Sequence, residues 1–280
     1  MVRLPVWGVA LALALSSCGP TLPRGVSGAE LEALTEIEVP AADPSAPLAE
    51  ELLARHIEAT GMRAVLEGSR SVRIDGTAEA LELGVLGDFE ALRARPARTR
   101  LLLRLPSLGE VLSGCDGERA WMVHPVSGVE VFDGAAQLKA CRSAVYDHLL
   151  RRPDGLEAYL TVGRTRFGGR ECYEVFGLHA AEDARQAALG VRERSFREFY
   201  SVDTGLLAGI IESSRSSNGA VEVTSRYEDY AAFGGSLVAT RTVQRSPGFE
   251  LVLTVESVVY DDVDDDQFEL PGAVEKALGR

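Results

Sequence analysis

The stretch "FELVLTVESVVY", Phe249 to Tyr260, decides the fold. Phe249, Leu251, Leu253 and Val255 alternate with Glu250, Thr254 and Glu256, and Val252 is the exception on the polar side. A period of two is the signature of a strand with one apolar and one wet face. Pro247-Gly248 separates it from a preceding run, Ser236 to Arg245, which follows Gly234-Gly235. Further upstream the same rhythm recurs. Ala220 to Tyr230 follows the turn Ser217-Asn218-Gly219; Leu206 to Ser213 follows Asp203-Thr204-Gly205; Arg194 to Val202 precedes that turn. Glycine-containing turns between alternating runs predict consecutive antiparallel strands, a meander.

The meander extends toward the N-terminus. Tyr159 to Arg166 and Glu171 to Leu178 flank Phe167-Gly168-Gly169 and predict a hairpin. Ser69 to Thr77, Leu81 to Leu92 and Thr99 to Leu105 read as strands, and Asp116-Gly117 separates two more, the second being Arg119 to His124. Pro125 to Gly128 marks a turn before Val129 to Phe132. Alternation puts Leu101, Leu103 and Leu105 on one face, and Ala120, Met122 and His124 on one face with Trp121 opposite. Two segments are helical instead. Leu48, Leu52, Leu53 and Ile57 share one helical face over 48–60, with Gly61 as the stop. Ala135 to Leu150 has helical spacing, with Leu138, Val145, His148 and Leu149 inward. Ala180 to Gly190 is an alanine-rich, helix-prone excursion. A long antiparallel sheet with one apolar face must close or be covered, and these two helices are available to cover it. The expected class is mainly β (α+β), an open antiparallel half-barrel covered by a few helices.

The N-terminus carries different information. Arg3 precedes an apolar run, Val6 to Leu15, too short to span a bilayer. Leu15-Ser16-Ser17-Cys18 resembles a bacterial lipobox, which implies cleavage before Cys18 and lipid attachment to its sulfur. A plain secretory signal with an incidental cysteine is the alternative. Several acyl chains on one residue would anchor a protein stably. Gly19 to Ala46 holds Pro20, Pro23, Pro40 and Pro44 and reads as a tether. The expected organisation is 1–17 signal peptide, 18–46 lipidated cysteine and tether, 47–275 folded body, 276–280 tail.

The 280 residues are 46% hydrophobic and 25% charged, an ordinary globular balance. The formal net charge of −13 repels phosphate backbones and argues against a nucleic-acid partner. Apart from Cys18, Cys115, Cys141 and Cys172 remain, which allows at most one internal disulfide. The sequence does not choose a pair, and buried thiols are slightly preferred.

Several motifs together resemble the LolA/LolB-type lipoprotein-carrier family, with the broader outer-membrane lipoprotein-sorting-like proteins. They are the helix ending at Gly61, "SVRIDG" at Ser71–Gly76, "RPARTRL" at Arg95–Leu101, "DGERAWMVHPVSG" at Asp116–Gly128, "SRYEDY" at Ser225–Tyr230 and "VDDDQFELP" at Val263–Pro271. They span most of 47–275, and their order carries the resemblance. It implies an incomplete barrel around a hydrophobic cavity that holds acyl chains, with helices as a lid. Leu101, Leu103, Trp121, Phe199, Ile211, Tyr227 and Leu253 are the cavity candidates; apolar strand residues are also what a plain core contains. A lipidated Cys18 matches the anchored, LolB side of the family. Gly19, where the inner-membrane retention signal would be aspartate, implies the outer membrane, facing the periplasm. The long tether, the 180–190 excursion and the acidity have no counterpart in a receptor, so general lipid or lipoprotein handling is the expectation.

Catalytic chemistry finds little support. Asp203-Thr204-Gly205 matches the aspartic-protease triplet, but that chemistry needs two aspartates and the chain has one copy. A glycine-containing turn explains the residues. Asp262, Asp264 and Asp266 have EF-hand spacing, yet Gln267 and Ala273 stand where glycine and glutamate belong, so a solvated acidic strand end is expected. Cys141–His148 and Cys172–His179 repeat a separation that is not a zinc spacing. HExxH, GxSxG, the P-loop and GxGxxG are absent. The expectation is a non-enzyme with no catalytic residues, metal or cofactor. It would bind lipid or lipoprotein acyl chains, with a membrane contact through the lipid anchor. The alternative is a non-enzymatic envelope sensor or scaffold with a protein partner.

Overall fold

The alternating runs do form a single meander, interrupted once. The computed structural model describes residues 37–106, 109–153, 155–179, 193–216 and 219–279. The signal segment, Cys18, the 180–190 excursion and Ser217-Asn218 lie outside the described residues. Helices α1 (Ala49–Thr60) and α2 (Met62–Gly68) lead into β1 (Ser71–Ala80), β2 (Val85–Ala94), β3 (Arg98–Leu105), β4 (Gly109–Cys115), β5 (Ala120–His124) and β6 (Gly128–Val131). A crossover holding α3 (Gly134–Ser143) and a short 3-10 turn (His148–Leu150) follows. Then come β7 (Leu156–Phe167), β8 (Arg170–His179), β9 (Glu193–Ser201), β10 (Leu207–Ser216), β11 (Gly219–Phe233), β12 (Ser236–Ser246) and β13 (Phe249–Tyr260). A 3-10 turn (Asp265–Phe268) and α4 (Gly272–Ala277) end the described chain.

The described residues form one 13-stranded sheet in the order β6-β5-β4-β3-β2-β1-β13-β12-β11-β10-β9-β8-β7. Every neighbouring pair is antiparallel. Two meanders meet where β1 pairs with β13, and the crossover carries the chain from one outer edge, β6, to the other, β7. The sheet is open: β6 and β7 do not pair.

Helix α1 forms as its pattern predicts. The Leu48 N–H donates to Glu51 Oε2 at 3.2 Å, and Glu50 and Glu51 sit in the first turn, where the helix dipole favours acids. Leu52, Leu53, His56 and Ile57 are buried. Gly61 ends it in the left-handed region at φ 65°, its N–H donating to Glu58 O. The same residue starts α2, which is too short to show a periodic pattern and was not expected from the sequence. The segment 81–92 does not form one strand. Leu81–Leu83 make a 3-10 turn, Gly84 reverses the chain at φ 60°, and β2 begins at Val85.

The helix expected over 135–150 stops at Ser143. Nη2 of Arg93 takes the Ser143 and Val145 carbonyls at 2.8 and 3.0 Å, and the Tyr146 N–H donates to Pro96 O, so the chain is drawn out of helical geometry. The preference for three buried thiols is also corrected. Cys115 on β4 and Cys141 on α3 form a disulfide with Cα atoms 5.7 Å apart, and Cys172 alone is a free, buried thiol among the described cysteines. The pairing joins residues 26 apart by bringing the crossover back onto the sheet, a proximity that spacing does not reveal. The segment read as tether is bonded to the sheet near its end. The Asp43 N–H donates to Thr161 O, and Thr161 Oγ1 donates to Pro47 O at 2.6 Å, both on edge strand β7. Among the described residues no helix is long and apolar enough to cross a membrane.

Candidate functional site

Residues directly opposite in an antiparallel ladder share a face, so the register traces the inner face strand by strand. One row runs Thr161, Val175, Glu198, Ile210, Ser225, Gln244, Leu251, Ala80 and Val85. A second runs Val258, Ile74, Ala91, Leu101, Ser113 and Met122. The helices cover this face. Leu66 of α2 joins a core with Ile74, Leu101, Leu103 and Leu253, while Ala49 and Leu52 of α1 join another with Val175, Ile210 and Tyr227.

Four of the seven cavity candidates lie on this covered face: Leu101, Leu103, Tyr227 and Leu253, all buried. The other three do not. Trp121 pairs with Gly114 in a row that continues through Arg100, Leu92 and Arg73 on the opposite face. A Cβ on Gly114 would come within 2.9 Å of the Trp121 ring, so the glycine makes room for it. Phe199 and Ile211 belong to a separate cluster with Cys172 and Ala208, where the Phe199 ring stacks on Phe167 at 4.1 Å. These three are corrected to outer-face packing. Alternation separates faces but does not say which face the helices land on.

The two halves of the inner face differ chemically. Strands β1–β5 and β13 present an apolar core that includes Phe89, Leu101, Leu103, Met122, Leu251 and Leu253. Strands β7–β12 present aromatic and polar groups. Glu198 is fully buried, and its Oε2 accepts from the Tyr159 and Tyr200 hydroxyls, each at 2.9 Å. Burial raises the Tyr227 hydroxyl well above its ordinary pKa, and the nearby carboxylates Glu212 and Glu198 add to this. Burial likewise raises Tyr230, whose hydroxyl donates to Leu207 O. A carboxylate between two aromatics was visible as Phe196-x-Glu198-x-Tyr200, a polar residue at an inward position of an alternating strand.

The crossover is held across the apolar half by a buried cation. Arg93 lies on the inner face between Val72 and Thr99. Its Nη2 reaches Ser143 O, Val145 O and His148 Nδ1, the last at 3.0 Å. Burial pushes the Arg93 guanidinium down to about 10. Tyr146 joins the apolar core and shares a 2.7 Å hydrogen bond with Ser69 Oγ. Sequence reasoning missed Arg93 because arginines in strands usually face solvent.

Two openings flank α1. One is a cavity of about 80 Å³ with an apolar wall (Met62, Leu66, Val72, Ile74, Leu149) and a polar wall (His56, Thr60, Tyr230, Ser236, Tyr260). Ligand sites typically measure ~300–1,000 Å³, so in this conformation the protein's own side chains fill most of the inner face. The other is a cleft of about 290 Å³ on the opposite side of α1, lined by Leu52, Arg55, Glu58, Tyr173 and the 201–205 turn.

The remaining motifs have structural roles. Asp203-Thr204-Gly205 is a turn in which Gly205, at φ 69°, donates to Ser201 O. Asp261 Oδ1 accepts from the Arg70 N–H at 2.6 Å, Asp262 pairs with Arg73, and Asp265 pairs with Arg98. The acidic strand end is solvent-exposed, as expected, and Asp261, Asp262 and Asp265 also bond to the starts of β1 and β3. Among the described residues no three metal-ligating side chains come together.

An open antiparallel sheet whose outer strands β6 and β7 do not pair, with α1, α2 and the crossover over its inner face, defines a half-barrel fold. Solved structures share it. A LolA superfamily protein from Nitrosomonas europaea superposes with a TM-score of 0.51 at 14% identity, over 80% of this chain and 99% of that one. A domain of an outer-membrane lipoprotein-sorting protein from Vibrio parahaemolyticus gives 0.51 at 10% identity, over 83% and 100%. A DUF1329 family protein from Desulfovibrio piger gives 0.50 at 12%, over 79% and 97%. The chain thus has a LolA-like fold. No protein-family model matches it, and no curated protein matches its sequence.

Proposed function

We propose that this protein binds acyl chains or other amphiphiles between its helical cover and the inner face of the half-barrel. It does so as an envelope lipoprotein anchored through Cys18 at the periplasmic side of the outer membrane. The observation that carries the reading is the apolar half of the inner face. It is covered only by two short helices and a latched crossover, with a cavity already open at their seam. Each methylene moved there from water contributes ~0.8 kcal/mol, so eight would supply about 6 kcal/mol. That offsets the hydrogen bonds that hold the crossover, while the apolar contacts of Leu66 and Tyr146 are exchanged for contacts with the acyl chain. The disulfide fits an oxidising compartment outside the cytoplasm. The protein acts by binding rather than by catalysis. The LolA superfamily and lipoprotein-sorting proteins that share the fold support this direction.

Mass spectrometry of solvent extracts from protein purified out of envelopes tests the reading. Near-stoichiometric lipid is expected; a lipid-free protein that also fails to take up a fluorescent acyl probe would refute it. Cys18→Ser should leave the membrane fraction or stall in processing, and unchanged membrane association would overturn the anchor. Edge strand β7, 12 residues long and met by the 43–47 segment at Thr161, favours one alternative: a protein partner that adds a strand along the rest of it. Stoichiometric co-purification of one protein without lipid would support that instead.

A further inference from the structure

One end of the sheet carries an apolar rim that the packing leaves outside. Register places the β1–β2, β3–β4, β5–β6 and β12–β13 turns at the same end. Leu81, Leu83 and Leu86 at the β1–β2 turn are 44%, 53% and 63% exposed, and Val126 of the β5–β6 turn is 82% exposed. Single exposed leucines are ordinary, but three within six residues, continued on neighbouring turns, form a patch. The turns touch one another. A Cβ on Gly109 would lie 2.9 Å from Pro125, and the Glu250 N–H donates to Glu82 Oε2 at 2.6 Å. Pro106 and Pro247 add exposed apolar surface. Directly beneath the rim, Ala80, Val85, Leu105, Phe249 and Leu251 belong to the apolar half of the inner face. Charges beside the rim are paired, Arg104 with Glu110 and Arg245 with Glu250. The other end is different. Its turns hold Arg95, Arg98, Asp116 and Glu118, and the acidic strand end at 261–266 joins them.

We propose that this rim docks the protein end-on to a lipid bilayer, setting its leucine tips into the headgroup region so that acyl chains cross directly to the apolar half of the inner face. The proposal rests on the amphiphile-binding reading above and adds the surface through which the amphiphile arrives. The occupant follows from the shape and chemistry of the rim. Its tips lie side by side from β5 to β12, six strand spacings or ~30 Å along the sheet, a breadth that a planar surface meets at once. Turn tips offer a protein neither a groove nor a strand edge, whereas leucines at a bilayer interface need no directional partner. A net charge of −13 and paired rim charges leave apolar contact as the attraction, which favours zwitterionic over anionic lipid. The 25 residues from Cys18 to Asp43, which is bonded to β7, span at most about 85 Å. An anchored chain therefore reaches the bilayer with either end, and the rim decides between them.

The test places the full chain, purified from envelopes, in phosphatidylcholine vesicles and reads tryptophan quenching by bromine on the lipid acyl chains. Leu83→Trp should be quenched, and Glu118→Trp, exposed at the opposite end, should not; buried Trp121 gives both a common background. The quenching should persist at high salt, because the contact is apolar. Leu81→Ser, Leu83→Ser and Leu86→Ser together should slow extraction of a fluorescent acyl probe from vesicles about tenfold. Uptake of the same probe from solution should be unchanged in that variant, which also shows that it folds. Equal quenching at both ends, or none at Leu83→Trp, would overturn the rim as the docking surface and leave amphiphile binding standing. Quenching lost at high salt would reassign the contact to charge and overturn the proposal. Extraction unchanged in the triple variant would overturn the transfer route. Self-association that the triple variant abolishes, with no quenching, would give the rim to a second copy instead. A probe taken up from neither vesicles nor solution, with Leu83→Trp still quenched, would sink the amphiphile reading and leave the bilayer contact.

Discussion

Replacing Arg93 by Met tests whether the crossover is a latched cover. The guanidinium is buried with no carboxylate in hydrogen-bond contact among the described residues, and its Nη2 has three contacts: the acceptors Ser143 O and Val145 O, and His148 Nδ1, which itself lies 2.8 Å from Val145 O. One nitrogen has two hydrogens, so the three contacts amount to two hydrogen bonds from a charged donor. At the low end, ~1.5 kcal/mol each, they hold the crossover by about 3 kcal/mol. The low end applies because burial already penalises this cation, as its depression to about 10 shows. Met fills similar volume without a donor, so the population with the crossover lifted should rise about a hundredfold. Hydrogen exchange of amides 143–150 should accelerate by that factor, and acyl-probe uptake should quicken with it. The Cys115–Cys141 bond still tethers α3, so β1–β3 should keep their protection. A uniform loss of protection over the whole sheet would show that Arg93 stabilises the fold and is not a latch. Unchanged exchange at 143–150 would refute the energetic argument outright.

Burial raises Tyr146, Tyr227, Tyr230 and Tyr260 above the ordinary phenol value. A folded-state pKa above the unfolded one gives stability that is complete below about pH 10 and lost as pH rises past it. Arg93, depressed, acts in the opposite sense but is one group against four. Absorbance at 295 nm should therefore show these four ionising only as the protein unfolds, and smooth ionisation of all seven tyrosines near pH 10 in the folded state would contradict it. Reducing the Cys115–Cys141 bond, which spans 26 residues, should cost about 3.5 kcal/mol by chain entropy and lower the melting temperature by roughly 10 °C. An unchanged melt in dithiothreitol would mean that the bond does not form. A Cβ at Gly177 would lie 2.1 Å from the Phe196 ring, so Gly177→Ala should cost about 1–3 kcal/mol in urea unfolding. A neutral result would mean that Phe196 does not cross β8 there.

The legibility of the fold follows from the range over which each signal acts. Strands, turns and α1 were readable because period-two alternation, glycine turns and the Gly61 stop are local. The chain reversal at Gly84, within the run read as one strand, and the short α2 were not legible for the opposite reason, since each depends on where the chain goes next. The end of α3 was set by Arg93, 50 residues away from Ser143 in sequence. The site was only half legible. Leu101, Leu103, Tyr227 and Leu253 fall on the covered face, whereas Trp121, Phe199 and Ile211 pack outside, and all seven look alike as apolar or aromatic strand residues.

By itself the sequence determined the class of protein: a long antiparallel meander with one apolar face, helices to cover it and a lipobox-like Cys18 ahead of it. Alternation is a property of each strand alone, so it survives without knowledge of the partners. The tertiary structure alone decided which face became the interior, that its two halves differ, and that Arg93, Glu198 and the Cys115–Cys141 pair meet their partners. Those outcomes depend on register between strands far apart in the chain, and on a crossover that returns across the sheet. In that packing a buried charge or hydroxyl is stabilised only by groups that the fold brings to it.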